Sequence, residues 1–148
     1  MTTPSQCVVL SNIPAAIFDA AIGYLGDMLR ECKLVLADHG QGSEVDPELL
    51  ALACGFVPDL EELRELFDGG SVTTVGGRHN IEMPMHIGHA ATMTHLQMQL
   101  VQLRLLGRRG AILTQSDPEI SQLLAWIWDE SADQLHGRPP RPYRLREV

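Results

Sequence analysis

The sequence predicts a small α/β domain, with α+β as the neighbouring alternative, built as two similar βαβα halves that share one sheet packed by helices. Three observations predict it. Short β-prone runs alternate with longer stretches of 3.6-residue apolar spacing. Two tripeptides, Asp46-Pro47-Glu48 and Asp117-Pro118-Glu119, stand at corresponding places in the two halves. The chain has 148 residues, 45% hydrophobic and 20% charged, which suits one domain with one core.

Taken in order, Cys7-Val8-Val9-Leu10 reads as a buried strand. Pro14 then opens a helix at a position where proline costs little. Ile17, Phe18, Ala21, Ile22, Leu25, Met28, Leu29 and Cys32 form its apolar stripe. Residues 33–37 read as a second strand and residues 38–43 as a loop. Asp46 and Pro47 supply an N-cap and a first-turn proline for a helix to about residue 55. A further helical segment covers residues 59–67.

The glycine pairs at 69–70 and 76–77 bracket a joint, residues 69–77, that is either a connector or a small hairpin. In the second half, residues 80–85 read as a strand in which Pro84 marks an edge or an end. Residues 87–106 read as a long helix, residues 111–114 as a strand, and Asp117-Pro118 as the start of a last helix. The halves are thus residues 7–68 and 80–136, followed by a basic, proline-rich tail at 137–148.

The net charge is -8, which disfavours nucleic acid and anionic membranes as partners. Residues 1–68 carry twelve acids and three bases, whereas the tail carries four arginines and one acid. No apolar run is long enough to span a membrane, and the first residues lack the pattern of a signal peptide. Cys7, Cys32 and Cys54 form no CxxC pair. Cys32 and Cys54 read as buried thiols, and a reducing cytoplasm is the expected location.

Catalytic motifs are wanting. There is no G-x-S-x-G elbow, no Walker A and no G-x-G-x-x-G fingerprint, and Lys33 is the single lysine. A non-enzymatic domain without a cofactor is expected. Asp38, Gly40 and Gly42 fit D-x-G-x-G after a β-prone run. Together with residues 34–38 and 47–50 they resemble the nucleotide-binding box of the histidine-kinase-like ATPases. That resemblance implies that Asp38 would contact adenine and the glycines would admit the nucleotide. The family also needs an asparagine-bearing helix before the box, and residues 17–32 contain no asparagine. A polar turn after a strand is the simpler reading.

His86 and His89, three apart at a helix start, have spacing suited to a transition metal. No H-E-x-x-H motif or nearby acid completes a set, so hydrogen-bonded or solvated imidazoles are the simpler reading. Glu61, Glu62 and Glu65, with Asp68, form an acidic face that is either merely solvated or a docking surface for a basic partner. Trp126 lies about 100° round its helix from Ile127 and is expected to be partly buried, as an apolar anchor for a partner. Arg138, Arg141 and Tyr143 either dock the tail back onto the domain, with the arginines meeting the acidic half, or offer a partner-binding peptide.

The Trp-bearing helix after Asp117-Pro118-Glu119 and the run Gly137-Arg138-Pro139-Pro140-Arg141-Pro142-Tyr143 complete a layout that resembles a group of small actinobacterial regulatory proteins. These accompany the anti-sigma serine kinases and their antagonists in partner switching. The resemblance implies a regulatory protein–protein role with an anti-sigma factor or kinase as partner, and no catalytic residues. A homodimer is left open. The alternative is a sensor of a small ligand, nucleotide or metal.

Overall fold

The computed structural model describes residues 5–39, 46–110, 114–115 and 117–144. Along the chain run β1 (Gln6–Pro14), α1 (Ala15–His39), α2 (Pro47–Asp68), β2 (Ser71–Val75), β3 (Arg78–Met85), α3 (His89–Arg108) and α4 (Pro118–Leu135). Helix and strand are mixed as expected. The three strands form an antiparallel sheet in the order β1-β3-β2. Helices α1, α2, α3 and α4 pack successively on one another and α4 returns to α1, while α1, α2 and α4 also reach the sheet. Val8, Leu10, Ile81, Met83 and Met85 alternate inward from β1 and β3 to meet them.

Both Asp-Pro-Glu signals start helices. Asp46 accepts from the backbone N–H groups of Glu48 and Leu49, and Asp117 accepts from that of Ile120. The joint at 69–77 is a hairpin. Val75 pairs with Arg78 across a two-residue turn, and Gly76 and Gly77 both have positive φ, the requirement of a type I′ turn. At Gly70, a Cβ would collide with the Glu82 carbonyl of β3. Pro84 stands beyond the reach of β2, whose pairing ends at Glu82, so it marks a strand end inside the central strand.

Two expectations are corrected. Residues 33–37 are helix, not strand. Nothing between Glu31 and Asp38 breaks a helix, and Cys32, Val35 and Leu36 prolong the α1 stripe, so a short apolar run that fits either state goes with the helix it extends. The first half is therefore strand, helix, helix rather than βαβα. The two helical segments of residues 47–67 are one helix. Its buried stripe of Leu49, Ala53, Phe56 and Leu60 runs past Pro58, and tertiary packing outweighs the single backbone donor lost there. The strand expected at 111–114 falls mainly on residues 111–113, outside the described residues, and Thr114 is not in a strand.

The tail docks. The Tyr143 N–H donates to the Ser11 carbonyl, and Asn12 Nδ2 donates to the Tyr143 carbonyl. Tyr143 is buried with its ring edge on Trp126, at 5.1 Å between centroids. The tail arginines meet α4 rather than the acidic first half. Arg141 binds Glu130 and Asp133, and Arg138 binds Asp133. Sequence distance explains the difference: α4 ends where the tail begins, so its acids are the first that the arginines meet.

Candidate functional site

The strongest candidate is a cleft of about 580 Å³ between α1 and α2. Its depth is apolar. Leu10, Ile81 and Met83 of the sheet and Leu124, Ile127 and Trp128 of α4 line its floor, all buried. Its mouth lies between the helices. Ile22, Gly26, Arg30 and Lys33 repeat at helical spacing along the exposed edge of α1, facing Leu63, Arg64, Phe67 and Asp68 of α2. The volume falls in the range of roughly 300–1,000 Å³ usual for small-molecule sites.

Gly26 stands at the mouth of the cleft. A Cβ at Gly26 meets nothing within 4 Å, so no neighbour requires glycine there. Mid-helix glycine costs about 1 kcal/mol relative to alanine, and here no close packing offsets that cost. At the rim, Lys33 pairs with Glu61 at 2.8 Å and Arg30 pairs with Asp27 at 3.3 Å, all in solvent. Arg64 makes no ion pair among the described residues.

The residues singled out from sequence are spread over the surface. Asp38 lies exposed near the end of α1, so the strand that would precede a nucleotide box is absent, and Gly40 and Gly42 lie outside the described residues. The acidic face is partly used up. Glu61 holds Lys33, while Glu62 lies 3.4 Å from His89 and accepts from Thr92. Glu65 is exposed. Trp126 is half-buried under Tyr143.

His86 and His89 do come together, with ring centroids 3.8 Å apart. Their Nδ1 atoms are both occupied, since that of His86 accepts from the Gly88 N–H and that of His89 from the His86 N–H. Among the described residues, no group of three His, Cys, Asp or Glu could hold a metal ion. No helix among the described residues is long and apolar enough to cross a membrane. Comparison with family models, curated proteins and solved structures finds no match.

Two chemical expectations follow. Burial, aided by the neighbouring Glu31 carboxylate, pushes the Cys32 thiol up to about 12, whereas Cys7 and Cys54 are exposed. The expectation of a buried Cys54 is thereby corrected: it lies on the outer side of α2, one position past the buried Ala53. Native protein should react with two equivalents of a thiol reagent at neutral pH, and denatured protein with three.

His89 is held below its ordinary pKa of 6.5 by burial and by His86, against the opposing pull of Glu62. Below pH 6.5 the unfolded chain takes up a proton that the folded chain resists. Stability from this site is therefore complete above that pH and declines as pH falls beneath it. Urea unfolding at pH 7.5 and at pH 5.5 should show a smaller acid loss for His89→Gln than for the wild type.

Proposed function

We propose that this chain is a non-enzymatic regulatory domain that binds a small, largely apolar ligand in the α1–α2 cleft. The observation that carries the reading is the cleft itself: apolar in depth, open between two helices, and bordered by a glycine that packing does not require. Burial of apolar ligand surface would supply the affinity.

The test uses Nile red, an uncharged apolar dye, with Gly26→Phe to plug the mouth and Gly26→Ala as a folding control. The wild type and Gly26→Ala should enhance the dye's emission at one-to-one stoichiometry. Gly26→Ala should also be more stable by about 0.5–1 kcal/mol. Gly26→Phe should melt normally and lose the enhancement. Unchanged dye binding by a folded Gly26→Phe would refute the site.

A second reading, docking of a regulatory protein partner, is favoured by α3. Met98, Val101 and Leu105 are 57%, 43% and 51% exposed and form an apolar seam at i, i+3 and i+7 spacing. This helix carries no acid, unlike α1, α2 and α4. An anti-sigma factor or kinase is the partner class that the sequence resemblance contributes to this reading. Val101→Glu should abolish capture of such a partner and leave Nile red binding intact.

A further inference from the structure

The charge pattern around the cleft names its ligand more closely than its apolar lining does. Residues 1–68 contain twelve acidic residues and only three basic ones, Arg30, Lys33 and Arg64. All three line the cleft, and of the eleven acids among the described residues only Asp68 does. The bases come from two helices separated in sequence, so the fold rather than local composition gathers them. Two already have acidic neighbours, Asp27 and Glu61, whereas Arg64 has no ion-pair partner among the described residues.

An apolar slot with a guanidinium at its mouth that makes no ion pair among the described residues fits an amphipathic anion: one aliphatic chain lying in the slot, one acidic head at its mouth. We propose that the cleft binds a free single-chain fatty acid, with its chain against the buried floor and its carboxylate held by Arg64. This assignment rests on the cleft being a ligand site, as proposed above. Arg64 suits the role, since a guanidinium offers a carboxylate two parallel donors. Arg30 and Lys33, on the opposite lip, are already paired with Asp27 and Glu61, which leaves Arg64 as the head-group ligand. A free acid is favoured over a lipid in a bilayer because the net charge of -8 opposes approach to an anionic membrane.

The chemistry sets two independent expectations. Chain length should tune affinity, at about fourfold per added methylene until the slot is full. The head should add selectivity of about tenfold for acid over alcohol, the scale of one solvent-accessible charged hydrogen bond.

The experiment is displacement of Nile red by decanoate, dodecanoate, tetradecanoate and dodecanol, each below its aggregation threshold. Wild type, Arg64→Gln and Gly26→Phe are compared. Dodecanoate should bind the wild type about tenfold more tightly than dodecanol. Arg64→Gln should weaken dodecanoate to the level of dodecanol and leave dodecanol unchanged, a pattern that a folding defect would not produce. Gly26→Phe, which takes up no dye, should show no heat of binding with either ligand in isothermal titration calorimetry. Equal affinity for acid and alcohol in the wild type would overturn the head-group assignment while leaving the cleft as an apolar site. Failure of Nile red and of both ligands to bind would overturn the cleft reading itself. Sedimentation with phosphatidylglycerol vesicles separates the two sources of the ligand. The protein should stay in the supernatant, and co-sedimentation would overturn the choice of a free acid.

Discussion

Gln134→Leu is expected to destabilise the protein by about 3 kcal/mol, although it replaces one side chain by another of similar size. The cause lies at the outer edge of β1, which has no strand beside it among the described residues. There the Gln134 amide acts as a fragment of one. Its Oε1 accepts from the Val9 N–H at 2.8 Å, and its Nε2 donates to the Val9 carbonyl at 2.7 Å. The other Nε2 proton goes to Glu130 at 2.7 Å, a carboxylate only 1% exposed. Leucine would leave the Val9 N–H and carbonyl without this partner, each worth about 1–3 kcal/mol where burial is complete, and would take one of three donors from Glu130, which keeps Arg141. Val9 is only partly buried, which keeps the total near the low end. Urea unfolding measures the loss, and a cost below about 1 kcal/mol would mean that water satisfies this edge.

Tyr143→Ala should cost about as much, by a different route. The ring is 3% exposed and packs edge-on against Trp126, and truncation of a buried aromatic ring costs about 3–5 kcal/mol. With the ring gone, the strap keeps only the backbone hydrogen bonds of residues 138, 141 and 143 and the largely exposed pairs of Arg138 and Arg141 with Glu130 and Asp133. The melting temperature should fall by roughly 10 °C. Trp126 emission should shift to the red as its cover leaves. A lower melting temperature with unshifted emission would show that the tail stays docked without Tyr143.

These two sites show what was legible in the sequence and what was not. Capping was legible: each Asp-Pro-Glu states a helix start in three residues, and both helices begin there. The docked tail was half legible. Its proline content and its aromatic residue pointed to an ordered strap, but not to the acids that receive its arginines. Residues 33–37 misled because a five-residue apolar run satisfies helix and strand alike, and only the continuing α1 stripe decides between them. Gln134 gave no signal, since its role depends on a strand more than a hundred residues away.

The cleft was hidden for the same reason. Gly26, Arg30 and Lys33 share a helical face that sequence can state, but Arg64 and the sheet floor join them only in the fold. A usable signal did exist. Three bases among twelve acids is a skewed count, and asking where those three fall would have pointed to α1 and α2. The acidic residues drew attention instead, although two of the three glutamates proposed as a docking face already pair with Lys33 and His89.

The central claim is that a ligand chain lies between α1 and α2, and isotope-filtered NMR tests it most directly. With dodecanoate bound to methyl-labelled protein, nuclear Overhauser contacts should join the aliphatic chain to Ile22, Leu25 and Leu63, which line the cleft. The exposed seam of Met98, Val101 and Leu105 on α3 should show none. Contacts confined to that seam, or no contacts at saturating ligand, would contradict the account.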